Sequence, residues 1–204
     1  MDGARRAPRH SPRAGTMGDD VTREEALSLV EQRVESENLL NHMLATEAIM
    51  GALARRLEAD EERWRMAGLL HDLDVEATVQ TMQVHGLRTV EWLREAGFED
   101  EEVLAAIAAH NPANGSIIGS TMARALFACD PLTGLITAAA LIRPEKRLEL
   151  VALKSLKKRF KEPSFAKGAN REGIATCEQF GLPLEEFLAI GLTAMQRIAP
   201  DLGL

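Results

Sequence analysis

Residues 63–74 read RWRMAGLLHDLD. Trp64, Ala67 and Leu70 recur at helical spacing, and Asp60 just upstream is a residue type that caps helix starts, so this stretch is expected to be an amphipathic helix. It runs without a polar break from Gly68 through Leu70 into His71 and Asp72. A carboxylate that follows such an apolar run is carried below the surface, where an unpaired charge costs several kcal/mol. Asp72 therefore needs donors or a cation around it.

Working outward from the doublet, the other segments also follow helical periods. Thr22 and Glu25 fit a capping box, so a first helix should run to about Glu35. Leu40, Met43, Leu44, Ala48 and Leu53 then define a helix over Glu37–Leu57 that carries His42. After the doublet, a long helix is expected from about Val79 to Ala96, closed by Gly97, with His85 near its start. Another should begin near Asp100 and deliver His110, where Asn111-Pro112 and Asn114-Gly115 break the pattern. Thr121–Cys129 reads as a helix that delivers Asp130, and Pro131–Ile142 as a separate buried helix stopped by Pro144. Two further helices, over about Asn170–Phe180 and Pro183–Ile198, are separated by Gly181. No stretch alternates as a strand does, so the fold class is all-α: a helical bundle with a C-terminal helical extension. The expected organisation is a disordered leader over 1–20, a metal-binding domain over 21–145, and an extension over 146–204 packed on the same domain.

Composition agrees with that reading. Apolar residues make up 46% and charged residues 27% of 204, whereas aromatics reach only 4% with no Tyr, fewer than sheet-rich folds carry. Cys129 and Cys177 are the two cysteines and form no CxxC pair, which excludes a disulfide framework or a thiolate zinc site. The first twenty residues are rich in Arg, Pro and Gly and lack an apolar period. Met17 precedes the first helix start, so this leader is readable as an upstream extension of the reading frame, and its His10 is assigned no role. No apolar run approaches the ~20 residues that span a bilayer. A cytoplasmic location with no membrane partner is the resulting expectation.

Four of the five histidines fall one per predicted helix, and with the two aspartates they give the order His42, His71-Asp72, His85, His110, Asp130. Any one such histidine is more often a core residue bonded to a carbonyl. Taken together, imidazoles and carboxylates on separate helices are how bundles build metal sites. Asp130, preceded by ALFAC, is expected below the surface as Asp72 is.

This ordered set resembles the HD superfamily of metal-dependent phosphohydrolases, whose signature is a histidine, a His-Asp doublet and a distant aspartate. His42 in ENLLNHMLATEAIM matches the first position, His71 and Asp72 in AGLLHDLD the doublet, and Asp130 in ALFACDPLTGLI the last. The chain is more closely similar to a bacterial group of predicted HD hydrolases. AAIAAHNP, LTGLITAAALIRP, LKSLKKRFK and GLPLEEF carry that likeness, which extends over about Glu24 to Gln196. The resemblance implies one or two divalent ions (iron, manganese, zinc or magnesium), with Asp72 as catalytic residue, bridging the ions or orienting a water. In two-metal members, histidines such as His85 and His110 hold the second ion. Two ions are the expectation, since otherwise both of these histidines need separate explanations. HD-GYP phosphodiesterases have a second histidine where Asn111 stands and a lysine where Val75 stands, which argues against cyclic dinucleotides. The six-ligand order is similar both to the superfamily's symmetrical dinucleoside-polyphosphate hydrolases and to its di-iron oxygenases. A non-catalytic metal- or nucleotide-binding module is the third alternative.

From Arg143 to Arg171 there are ten Lys and Arg against three Glu, a local +7 in a chain of net charge −7. Such a run is commonly a solvated helix face, yet it is also what an anionic substrate would require. Arg143, Lys154, Lys157 and Lys158 are accordingly the phosphate-contact candidates. The expected activity is hydrolysis of a phosphoester or phosphoanhydride in a nucleotide or other small phosphorylated metabolite, with a small anionic substrate and no nucleic-acid polymer as partner. Asp74 and Asn111 are candidates to touch the water or leaving group.

Overall fold

Side-chain caps start the first three helices of the computed structural model, which describes residues 21–204. Helix α1 (Arg23–Arg33) begins on the Thr22/Glu25 capping box. Helix α2 (Glu37–Arg56) begins where Ser36 accepts from the Leu39 N–H, while the Glu76 carboxylate accepts from the N–H groups of Glu35 and Ser36 at 2.9 and 3.0 Å. Asp60 accepts from the Arg63 N–H and starts α3 (Glu61–Leu70). These orphan donors at helix starts would otherwise need water.

Helices α2 and α3 cross at close range because Gly68 allows it: a Cβ there would lie 2.8 Å from the backbone N and Cα of Glu47 and from the Thr46 carbonyl. The crossing brings the middle of α2 against the end of α3. Met43, Ile49, Met50 and Leu53 of α2 and Trp64, Ala67 and Leu70 of α3 are buried along it.

The next segment departs from expectation. In place of one helix from Val79, the chain forms a single turn, α4 (Val75–Thr78), a 3-10 turn over Met82–Val84, and then α5 (Leu87–Glu95). Gly86 takes φ +84, a left-handed conformation that stops a helix passing through His85. Asp74, twelve residues upstream, caps the new helix instead: its Oδ2 accepts from the N–H groups of Gly86 (2.9 Å) and Thr89 (3.2 Å).

Helix α6 (Glu101–Ala109) starts on Asp100, as expected, and its last turn leads into His110. Residues 121–141 then form one helix, α7 (Thr121–Leu141), where two were expected. Pro131 lies inside it and deprives the Phe127 carbonyl of its helical donor. Leu126, Leu132, Leu135 and Ile136 are fully buried around that position, and their burial outweighs the local loss. By length and composition this continuous helix is apolar enough to cross a bilayer, which neither half would be. Here it is the central core helix, with more than half of its most apolar stretch buried and with α2, α3 and α6 packed on it.

Helix α8 (Leu153–Phe160) carries four of the ten basic residues between Arg143 and Arg171 and packs on α7. Helix α9 (Arg171–Ala175) passes into a 3-10 turn over Thr176–Phe180, and α10 (Leu184–Arg197) closes against α2 and α7. Gly191 of α10 sits where a Cβ would be 2.6 Å from Leu132 Cδ2. Cys129 and Cys177 are both buried and unpaired. The leader expected over 1–20, including His10, lies outside the described residues.

Candidate metal centre

The six residues singled out as ligands reach one place from five different segments. His42 comes from the middle of α2, His71 from the end of α3, Asp72 from the turn after it, His85 from the loop before α5, His110 from the end of α6, and Asp130 from the middle of α7. His71, Asp72, His85 and His110 are buried, while His42 and Asp130 are partly exposed on one side of the cluster.

The two oxygens of Asp72 divide the cluster into two halves. Its Oδ2 lies 3.4 Å from His42 Nε2 and 3.5 Å from His71 Nε2, and His42 Nε2 is 3.3 Å from Asp130 Oδ1. Its Oδ1 lies 3.3 Å from His85 Nε2 and 3.2 Å from His110 Nε2. Across each half, the paired imidazole nitrogens are 3.1 Å (His42–His71) and 3.0 Å (His85–His110) apart. Metal–ligand bonds of about 2.0–2.2 Å set two donors of one ion roughly 3–3.6 Å apart. Every separation quoted falls in that range.

The outer partners fix which nitrogen faces inward. His71 Nδ1–H donates to the Gly68 carbonyl at 2.9 Å, and His110 Nδ1–H to the Ile107 carbonyl at 2.6 Å. His85 Nδ1–H donates to Asp74 Oδ1 at 2.7 Å. Thr133 gives its own hydroxyl proton to the Asp130 carbonyl, so its oxygen accepts from His42 Nδ1–H at 2.8 Å. All four histidines thus spend Nδ1 on a neighbour and present the Nε2 lone pair to the centre. Four lone pairs and two carboxylates converge with no neutral donor among them, an arrangement that is repulsive until a cation enters. The residues fit one or two divalent ions, and outer partners of this kind hold metal-bound imidazoles in place.

Protons take that role when metal is absent. Burial alone lowers the His42 pKa, but hydrogen bonds to Asp130 and Asp72 outweigh it and push it to about 10. His85 behaves alike, with burial opposed by Asp72 and Asp74, and rises to about 9. Fully enclosed His71 goes the other way, to about 4, because burial dominates. Burial would raise the Asp72 carboxyl, yet His71, His110, His42 and His85 hold it well below the usual range.

Asp74 and Asn111, candidates for water contact, are committed elsewhere. Asp74 is fully buried, with one oxygen on His85 and the other on the start of α5. Asn111 donates to the carbonyls of Met82 and His85 and accepts from the Ala113 N–H. Both hold the His85 loop in position. Sequence reasoning also missed Glu47, whose carboxylate is 2% exposed and is gripped by Arg23 (2.5 and 2.9 Å) and Arg65 (2.7 and 3.1 Å). Its signal was legible: a glutamate on the apolar face of α2 between Met43 and Met50.

The four basic candidates are not brought to the cluster. Arg143 follows the end of α7, about 20 Å along that helix from Asp130 at 1.5 Å per residue, with Glu145 at 3.7 Å as its ion-pair partner. Lys157 pairs with Glu185 at 2.5 Å, Lys158 approaches Glu162 at 3.9 Å, and Lys154 is exposed. None of the four lines the cleft that opens beside His42.

Comparison with known proteins gives the same frame. The chain is 30% identical over 116 residues to a protein named Ribonuclease Y from Oleidesulfovibrio alaskensis, covering 57% of this chain and 20% of that one. It is 32% identical over 120 residues to a Ribonuclease Y from Desulforudis audaxviator, covering 57% and 23%. The chain therefore spans only about a fifth of the curated relatives it matches. No solved structure matches. The family model described as HD domain matches residues 39–159, more than half of the chain and all six converging side chains, so the protein belongs to the HD domain family, whose membership implies metal-dependent hydrolase-type function.

Proposed function

We propose that the protein is a metal-dependent phosphohydrolase acting on a nucleotide or another small phosphorylated metabolite. The observation that carries this reading is the division of Asp72: one oxygen faces His42 and His71, the other faces His85 and His110. His42, His71, Asp72 and Asp130 would hold one ion, and His85, His110 and Asp72 the other. When bound, such ions acidify water towards neutral pH and neutralise charge on phosphoryl oxygens. The chain's own contribution is orientation. Thr133, Asp74 and the carbonyls of Gly68 and Ile107 fix the imidazoles, and Asp72 spans both halves. His42 and Asp130 form the exposed edge, so substrate would approach from their side.

Two other readings have specific support. The name of the relatives, Ribonuclease Y, favours an RNA phosphodiester, and the six-ligand set also suits a di-iron oxygenase. Metal analysis of anaerobically purified protein, followed by nucleoside phosphates, inorganic pyrophosphate and a short RNA as substrates, separates them. About two ions per chain with chelator-sensitive phosphate release is the expected result. Cleavage confined to RNA favours the first alternative, and iron-dependent oxygen consumption without phosphate release the second. Metal binding with neither activity would overturn the enzyme reading.

A further inference from the structure

A cleft of about 540 Å3 opens beside His42 between α2 and α7. On α2 its lining lies on the N-terminal side of His42, with Asn38 and Asn41, and on α7 it runs past Thr133 to Gly134, Thr137 and Leu141, with Leu202 as a further wall. Apart from His42, no ionisable side chain among the described residues lines it. Its other side chains offer amides, hydroxyls and aliphatic carbons, and Gly203 and Leu204 complete the wall.

Gly134 is the second observation. Glycine inside a helix costs roughly 1 kcal/mol relative to alanine, so a helical glycine usually has a packing reason. Gly68 and Gly191 have one, since a Cβ at either would collide with a neighbour at 2.8 or 2.6 Å. Gly134 has none: a Cβ there meets nothing within 4 Å, and the residue is exposed on the cleft. The space it leaves is not used by the chain itself.

We infer that this cleft receives the uncharged, hydroxyl-bearing organic part of a phosphomonoester whose phosphate lies at the metal centre; the inference rests on the phosphohydrolase reading. The Asn38 amide, the Asn41 amide, whose nitrogen also donates to the Leu202 carbonyl at 3.4 Å, and the Thr137 hydroxyl supply hydrogen bonds, and Leu141 and Leu202 supply apolar contact. A polyphosphate or polynucleotide running along the same cleft would meet no counter-charge, and the cleft selects against both.

Gly134→Leu tests this, because a Cβ there meets nothing within 4 Å and the position lines the cleft, so a larger side chain takes up cleft space. In metal-loaded protein a nucleoside 5′-monophosphate serves as probe for turnover and for calorimetric binding, and pyrophosphate as the compact control. The variant should keep its metal content and an equal or higher Tm. Its KM and Kd for the monophosphate should rise at least tenfold, while pyrophosphate hydrolysis stays within twofold. Unchanged KM and Kd in a stable variant overturn the inference, as does a wild-type protein that cleaves pyrophosphate or RNA but neither binds nor cleaves the monophosphate. If nothing is hydrolysed yet Gly134→Leu still weakens monophosphate binding tenfold, the hydrolase reading fails and the cleft assignment stands.

Discussion

The cluster around Asp72 and the basic segment after Arg143 both stand out in the sequence as concentrations of chemistry-bearing residues, yet the structure treats them differently. In the cluster each histidine nitrogen that faces outward has a dedicated acceptor, so the inward nitrogens have one orientation available. In the basic segment Lys157, Lys158 and Arg159 pair with carboxylates nearby, Arg171 donates to loop carbonyls, and Lys154 points to solvent. Density of charge along a sequence says little about convergence in space. A polar group inside an apolar helix says more, because burial forces it to find partners.

The largest effect should come from the one residue shared by both halves. Asp72→Asn leaves a single carbonyl oxygen where two anionic oxygens stood. Metal content should fall below one ion per chain, measured by elemental analysis, and turnover should drop by about 10²–10³-fold or more, as expected when several kcal/mol of charge stabilisation disappear. Retention of two ions would show that Asp72 does not join the halves.

The halves should also separate through their outer partners. Asp74→Asn replaces one of two accepting oxygens by an NH2 donor, so His85 and the start of α5 can no longer both find an acceptor there, and Thr133→Val removes the acceptor from His42. Each should weaken one ion by roughly 10–100-fold while sparing the other, a difference that metal titration reads as two distinct binding steps. Asp74→Asn should in addition lower the Tm, because its carboxylate caps α5. Equal loss at both steps from either variant would make the cluster a single unit.

How far the centre was legible depended on where its supports lie in the chain. The His71-Asp72 doublet and Asp130 could be read because each follows an apolar run, and His42 because it stands in order with them. The backbone that carries His85 could not, since the start of α5 is capped by Asp74, twelve residues away, which accepts from the N–H of Gly86 in its left-handed conformation. Pro131 misled for a related reason: local geometry favours a break, and the buried leucines on either side override it. The acceptors of the four Nδ1 protons include two backbone carbonyls, which no residue identity announces.

A smaller effect distinguishes the cluster by pH. His42 and His85 are raised to about 10 and about 9 without metal, above the ordinary histidine value. Stabilisation from a raised pKa is fully present below that ordinary value, about 6.5, and is lost as pH climbs through the folded-state value. Chelator-treated protein should therefore lose Tm between pH 7 and 10. Metal-loaded protein, with the same Nε2 atoms occupied by ions rather than protons, should lose less over that interval. Scanning calorimetry of both forms at pH 7 and 10 reads the difference, and parallel losses would mean that these two imidazoles carry no proton in the metal-free state.

The smallest effect is expected where the sequence placed the substrate. Arg143 follows the end of α7, and Lys154 is exposed on a helix whose neighbouring lysines already have glutamate partners. If neither touches substrate, Arg143→Ala and Lys154→Ala should leave metal content unchanged, turnover within about twofold, and Tm within about 2 °C, the usual range for surface changes. A direct phosphate contact would behave otherwise, because losing a charge-assisted hydrogen bond of about 1.5–3 kcal/mol raises KM roughly ten- to a hundredfold with no change in bound metal. Arg143 is the more discriminating of the two. Its Nε is buried with no hydrogen-bond acceptor, so its substitution also removes an unsatisfied donor, and a stable variant with a raised KM would return the basic segment to the active site.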